Sequence, residues 1–221
     1  MKLKYSKKPE VVNWEYLPDT ATLCQYLNIS DLRELSKTCK RYRSQFERKI
    51  LEKLSFDRWK FDFTDRENFI ELGLEKQLDL LLELLEVDLK GKYYLVKEIT
   101  FNHTFHDQYA KKIVNLFPHI VKLKFSANFY PGCEQGLITI LNGMKHLEYI
   151  EFLIDSYNSL NFKNTDQVFS RSLKSLIVDV DGVDSDFLSI FDTIDHSYSN
   201  LSTLSVTSNK MLENLPINMQ I

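Results

Sequence analysis

One hexamer pattern, apolar-x-x-apolar-x-apolar, recurs five times between residues 96 and 206, and it constrains the fold more than any other feature. Its starts are separated by 24, 27, 26 and 28 residues. The five segments are VKEITF (96–101), IVKLKF (120–125), LEYIEF (147–152), LKSLIV (173–178) and LSTLSV (201–206). A near-fixed period of this length is typical of repeat proteins, in which neighbouring units bury one another's apolar faces. The recurrence therefore predicts one short parallel strand per unit.

The residues between these segments predict the rest of each unit. Helix-like stretches lie at 106–117, 134–144 and 185–194, and they would return the chain to the start of the next strand. A small polar residue stands eight positions after each start, where it could bond the backbone of the turn: Thr104, Asn128, Asp155, Asp181 and Asn209. The expected class is α/β, with a parallel sheet on one side and helices on the other.

Side-chain alternation predicts which strand residues leave the core. The residues at offsets two, four and six from each start should face away from the buried side. Among them we expect a target-binding set of Lys122, Lys124, Tyr149, Glu151, Leu153, Ile177 and Asp179. Three members, Tyr149, Leu153 and Ile177, are large and apolar or aromatic on a face that should be solvated. Such a patch is either a binding site or a feature that a short repeat array tolerates or covers with its C-terminal tail.

The first part of the chain has a helical period instead. Leu32, Leu35, Cys39, Tyr42 and Phe46 follow spacings of three and four, which predicts one apolar face on a helix. Asp31 with Glu34 resembles a capping box at the start of that helix. Cys39 lies on the apolar face, so a packing role is favoured over a reactive thiol.

A second apolar stripe predicts a helix over 72–89. Its members are Leu74, Leu78, Leu81, Leu82, Leu85 and Leu89. This helix could cover the open end of the first repeat, because the end of a repeat array needs covering. Its most apolar run, residues 78–87, is too short and too acidic to span a bilayer.

Composition argues against several function classes. The 28 basic and 31 acidic residues give no polyanion-binding field, so no nucleic-acid partner is expected. Three scattered cysteines and dispersed histidines favour neither a disulfide framework nor a metal site. No catalytic constellation or phosphate-binding loop is found, so we expect no catalytic residues, no cofactor and no enzyme activity. Neither a signal peptide nor a membrane partner is indicated, and a cytoplasmic or nuclear location is expected.

Two family resemblances cover most of the chain. The five segments resemble leucine-rich repeats of the longer, helix-bearing kind. The N-terminal part resembles an F-box, whose motif opens with Leu-Pro, continues with an aromatic-Leu pair and Asp-Leu, and closes on Cys-Lys-x-aromatic. The matching residues here are Leu17, Pro18, Tyr26, Leu27, Asp31, Leu32, Leu35, Cys39, Lys40 and Tyr42.

The resemblance implies a domain order and a function. The residues themselves predict a flexible basic tail at 1–13 and connecting helices at 57–91. The resemblance implies an F-box-like helical module at 14–56 and about five repeats at 92–221. The repeats would form a short solenoid with a concave parallel sheet and convex helices. Such a chain would be the substrate-recognition subunit of a cullin-RING ubiquitin ligase.

The same resemblance assigns a partner to each part. A Skp-type adaptor would bind the adaptor-binding residues Leu17, Pro18, Leu27, Leu32, Leu35, Cys39 and Tyr42. A target protein would bind the concave face. The alternative is an adaptor-independent repeat scaffold whose N-terminal helices only cap the solenoid.

Overall fold

The structure, a computed structural model, describes residues 20–56, 74–102, 106–126, 134–154, 168–180, 194–195 and 197–207. The chain divides into two compact units, Met1–Ile50 and Leu51–Ile221. Several predictions fall outside the described residues. They concern Leu17, Pro18, the 1–13 tail, most of the 185–194 helix and the polar residues Thr104, Asn128, Asp155, Asp181 and Asn209.

The first unit, called the helical unit below, contains α1 (Thr20–Tyr26), α2 (Ile29–Thr38) and most of α3 (Lys40–Leu51). Asn28 is the N-cap of α2, and its Oδ1 accepts a hydrogen bond from the backbone N–H of Asp31 at 2.9 Å. The predicted capping box at Asp31 is therefore wrong, because the helix begins before it. Asp31 lies in the first turn, where the helix dipole favours a carboxylate.

The sequence predicted one continuous helix through Cys39. This is wrong, because one helix ends at Thr38 and the next begins at Lys40. Cys39 has an extended backbone, with φ −155° and ψ 158°, between α2 and α3. Its Sγ accepts from the backbone N–H of Tyr42 at 3.4 Å, which is how a cap serves the first turn of a helix. Cys39 is exposed, so the predicted packing role is not met.

The second unit, called the sheet unit, contains a six-stranded sheet that is parallel throughout the described residues. The strands follow one another in chain order. They are β1 (Lys53–Phe56), β2 (Glu98–Phe101), β3 (Lys122–Ser126), β4 (Tyr149–Ile154), β5 (Ser175–Val180) and β6 (Thr203–Val206). Five were predicted and are confirmed as strands. β1 lies inside the range that the sequence assigned to the helical module.

Helices connect or precede these strands, so the class is α/β, as predicted. They are α4 (Leu74–Leu89), a 3-10 turn (Tyr93–Leu95), α5 (Asp107–Leu116) and α6 (Glu134–Gly143). The helices expected near 72–89, 106–117 and 134–144 are therefore confirmed. The first of them ends through two left-handed residues, Lys90 at φ 45° and Gly91 at φ 81°.

The core follows the predicted alternation. In each of β2 to β5 two apolar residues are buried, and they are Ile99 and Phe101, Leu123 and Phe125, Ile150 and Phe152, Leu176 and Val178. A ladder of phenylalanines crosses β1 to β4, with ring centroids 5.1 Å apart for Phe56–Phe101, 5.4 Å for Phe101–Phe125 and 5.2 Å for Phe125–Phe152. Side chains from α4, α5 and α6 complete the same core.

One backbone arrangement recurs at every junction between neighbouring strands. The carbonyl just before a strand accepts two backbone N–H groups from the residues that begin the next strand, at 2.8 to 3.1 Å. The accepting residues are Glu52, Lys97, Val121, Glu148 and Lys174. Five equivalent junctions hold the strands in one register, so residues at equivalent positions lie side by side across the sheet.

Candidate functional site: the polar face of the sheet

The register arranges the side chains opposite the core into three rows, which together form the polar face. The first row contains Lys53, Glu98, Lys122, Tyr149, Ser175 and Thr203. The second contains Ser55, Thr100, Lys124, Glu151, Ile177 and Ser205. The third contains Ser126, Leu153 and Asp179. All seven predicted target-binding residues lie in these rows.

Three side chains at the centre of the face contact one another, and they are called the central triad: Lys124, Tyr149 and Glu151. The Glu151 carboxylate accepts a hydrogen bond from the Lys124 ammonium at 2.8 Å and from the Tyr149 hydroxyl at 2.8 Å. The Glu151 side chain is only 16% exposed. Hydrogen bonds to a charged acceptor are stronger than neutral ones, so these contacts fix the geometry of the triad.

Each member of the triad has a shifted pKa. The hydrogen bond to Glu151 raises the pKa of Lys124. Burial, followed by the hydrogen bond to Glu151, raises the pKa of Tyr149. Burial alone would raise the pKa of Glu151, but the hydrogen bonds from Lys124 and Tyr149 outweigh it and lower that pKa. At neutral pH the triad therefore holds an ammonium, a phenol and a carboxylate.

Two lysines lie beside the Tyr149 ring. The ammonium of Lys122 is 5.8 Å from the ring centroid and that of Lys124 is 5.7 Å from it. Both distances are within the range in which an ammonium is attracted to an aromatic face. Lys122 is exposed, so its charge is available to a bound molecule next to a ring that its neighbours hold in place.

The face differs in character from one side to the other. On the β1 side, Lys53 pairs with Glu98 at 3.1 Å, and charged residues continue as far as β4. On the β6 side, the half-buried Ile177 lies between Glu151 and Ser205, and short hydroxyl side chains follow on β6. Leu153 is 36% exposed and lies beside Asp179. The face thus combines paired charges, an aromatic ring and two apolar side chains, Ile177 and Leu153.

Two members of the triad are proton donors at neutral pH. Lys124 and Tyr149 keep their protons at neutral pH, so neither is prepared to act as a base. Among the described residues, no group of three or more His, Cys, Asp or Glu side chains could hold a metal ion. Asp107, which the sequence places beside His103 and His106, instead bonds Lys111 and Thr139.

In the described ranges no helix is both long and apolar enough to cross a membrane.

The predicted adaptor-binding residues that the structure describes have different exposures. Leu32 is 1% exposed, so the free chain does not present it. Leu27, Leu35 and Tyr42 are half-buried, and Cys39 is exposed. The Tyr42 ring stacks on Phe46, with centroids 5.6 Å apart.

Sequence reasoning missed two features that bear on binding. Tyr26 is 81% exposed, although it was matched only as part of a motif. Lys53 extends the polar face to β1, which was not predicted. Residues 51–56, LEKLSF, do fit the repeated hexamer pattern, and that signal could have found the strand.

No protein-family model, curated protein or solved structure gives a significant match to this chain.

Proposed function

We propose that this chain is the substrate-recognition subunit of an SCF-type ubiquitin ligase. In this role the helical unit binds a Skp-type adaptor and the polar face binds a target protein. The subunit does no chemistry itself, because it acts by holding the target near the transfer machinery. The observation that carries the proposal is the polar face, an ordered set of paired charges with an aromatic and apolar centre.

The repeats support a leucine-rich-repeat solenoid as the frame for this face. Five sequence segments at 24 to 28 residues, each a parallel strand paired with the next, are what such an array requires. The double hydrogen bond at each junction supports equivalence of the units. In such an array the strand face is the concave surface on which partners bind.

The central triad supports binding of a protein target. Its side chains are already held by hydrogen bonds, so binding would cost little additional side-chain entropy. Tyr149 offers a large aromatic surface, of the kind enriched at the centres of interfaces. Lys122 lies next to Tyr149 and Asp179 lies next to Leu153, and both would favour partners of complementary charge.

The helical unit supports a second interface. Tyr26 is exposed, and Leu27, Leu35 and Tyr42 are each only half-buried. A module this small buries its own apolar surface incompletely, and a partner can cover the remainder. Leu32 would contribute from beneath that surface, by holding α2 in place.

The adaptor interface is tested by titrating a purified Skp-type adaptor into the full chain and measuring the Kd by calorimetry. Leu35→Asp with Tyr42→Asp is expected to weaken binding at least tenfold, about 1.4 kcal/mol. Ser44→Asp, an exposed position on α3, is the matched control and should bind like wild type. Absence of binding by the folded wild type would reject the receptor and leave the adaptor-independent scaffold.

The target interface is tested separately, by capture of interacting proteins with the wild-type chain and with Lys122→Glu. The control is Lys145→Glu, an exposed lysine in a turn outside the polar face. A target of the face should be lost with the first variant and retained with the second. Equal capture by both variants would place target binding elsewhere on the chain.

A further inference from the structure

α4 has apolar residues on two of its faces, although one face is enough to attach a helix to a core. Leu81, Leu82, Leu85 and Leu89 are buried in the core of the sheet unit. On another side Leu80, Leu84 and Val87 are 38%, 41% and 62% exposed. Their spacing of four and three places them in one line along the helix, which is called the outer stripe.

Acidic side chains border the outer stripe. Glu83 lies three residues after Leu80 and four before Val87, and Asp88 lies four after Leu84. α4 as a whole contains five acidic residues and one basic residue. A surface helix with an exposed apolar line and a strongly acidic border is therefore available to a partner of opposite charge.

Beside the stripe, a groove of about 310 Å³ separates α4 from α5. Its lining residues are Asp79, Leu82, Glu83, Glu86, Lys112, Asn115 and Leu116. Lys112 is paired with Asp79 at 2.7 Å. Within the described part of the chain, Glu83 and Glu86 have no ion-pair partner at 4.0 Å or less. Among the described residues, the groove thus has two carboxylates outside any ion pair next to an apolar line.

We infer that the outer stripe and this acidic groove dock a basic amphipathic helix of a partner protein. The apolar side chains of such a helix would cover Leu80, Leu84 and Val87, and its lysines or arginines would reach Glu83 and Glu86. Helix binding in an apolar groove with anchors at these spacings is an established mode of recognition. This surface lies on α4 and α5, so the inference stands whether or not the polar face binds a target.

Charge selects this occupant over two others. A second copy docked stripe to stripe would bring two acidic borders together, which opposes association. Nucleic acid would meet the same repulsion from its phosphates. A basic helix is the occupant whose charge complements the border.

The probe is a fluorescent synthetic peptide of about 18 residues, with leucines at helical spacings of three and four and lysines elsewhere. Binding to the full chain is measured by fluorescence anisotropy at low and high salt. The control peptide carries glutamate at each lysine position. The lysine peptide is expected to bind at least tenfold more tightly than the glutamate peptide, with an affinity that falls as salt rises. Equal binding of the two peptides would overturn the inference.

Chain variants then locate the surface. Leu84→Gln with Val87→Gln should weaken binding about tenfold, and Glu83→Gln with Glu86→Gln should reduce its salt dependence. Tyr94→Gln, at an exposed aromatic residue in the 3-10 turn outside α4 and α5, is the control and should leave binding unchanged.

Three results with these variants would count against the inference. Unchanged peptide binding by Leu84→Gln with Val87→Gln would exclude the outer stripe. A fall of several degrees in the Tm of that variant would show that this chain's own residues cover the stripe. A concentration-dependent dimer of wild type that the variant abolishes would assign the stripe to a second copy instead.

Discussion

The two units differ in how their apolar residues are distributed. In the sheet unit the buried side chains form one continuous cluster from Phe56 to Tyr198, joined by the phenylalanine ladder. In the described part of the helical unit only Leu32 and Phe46 are buried. The sheet unit thus spreads its stability over many contacts, whereas the helical unit depends on a few.

This difference has a consequence for function. A face attached to a continuous core can hold charged and aromatic side chains in fixed positions, as the central triad does. A unit with little core leaves Leu27, Leu35 and Tyr42 half-buried and gains more from a partner. Each proposed interface therefore follows from the packing of its unit.

The largest expected effect on stability comes from removing the central ring of the phenylalanine ladder. Phe125→Ala should lower the free energy of unfolding by about 3–5 kcal/mol, because it removes a buried ring packed against Phe101 and Phe152 and leaves a cavity. Urea denaturation followed by circular dichroism measures the change. Leu153→Ala, on the exposed side of the same sheet, should cost less than about 1 kcal/mol. Equal losses would refute the assignment of core and polar face.

The next effect tests whether the helical unit depends on its few buried residues. Leu32→Ala should destabilise that unit by about 3 kcal/mol, since its side chain is almost fully buried. Hydrogen exchange should accelerate in α1 to α3 and change little in β3 and β4. A matching acceleration in the sheet would show that the two units unfold together, so the helical unit would not depend on its own few buried residues.

The strands could be predicted from the sequence because five repeats supply the same alternation independently. Ile99, Leu123, Ile150 and Leu176 are all buried, as the period requires. β1 was missed because its hexamer starts at Leu51, 45 residues before the next one, and so breaks the period. The match was therefore present in the sequence but lay outside the regular spacing that identified the other five strands.

The details of the helical unit could not be predicted, because they depend on backbone geometry at single residues. Spacings of three and four continue through Cys39, yet the chain is extended there. Nothing in the residue types distinguishes that break from a continuous helix. The contacts of the central triad were also beyond prediction, since the sequence gives the face of a side chain but not its rotamer.

A smaller effect tests the start of α2. Asn28→Ala should cost about 1 kcal/mol, because the backbone N–H of Asp31 loses its acceptor. Asn28→Asp keeps an acceptor at the same place and should be within a few tenths of wild type. Thermal unfolding of the three chains measures the difference. If Asp31→Ala lowered the stability more than Asn28→Ala, Asp31 and not Asn28 would be the N-cap of α2.

The smallest effect tests whether the polar face contributes little to folding. Glu151→Gln should cost about 0.5 kcal/mol at neutral pH, because Lys124 and Tyr149 remain partly solvated when the carboxylate is lost. The folded-state pKa of Glu151 is lowered, so its stabilisation is present above its ordinary pKa of 4.5 and is lost as pH falls through the folded value.

The stabilisation by the triad also decreases at high pH, since the pKa of Lys124 is raised. Its stabilisation is complete below its ordinary pKa of 10.5 and is lost as pH rises through the folded value. Urea titrations of wild type and Glu151→Gln across pH should therefore differ at neutral pH and converge at low pH. Glu148→Gln, which removes a carboxylate that is 42% exposed in its pair with Lys174, is the control and should show almost no difference. A decrease of several kcal/mol in the free energy of unfolding of Glu151→Gln would mean that the triad mainly stabilises the sheet. That result would argue against the polar face as a binding surface.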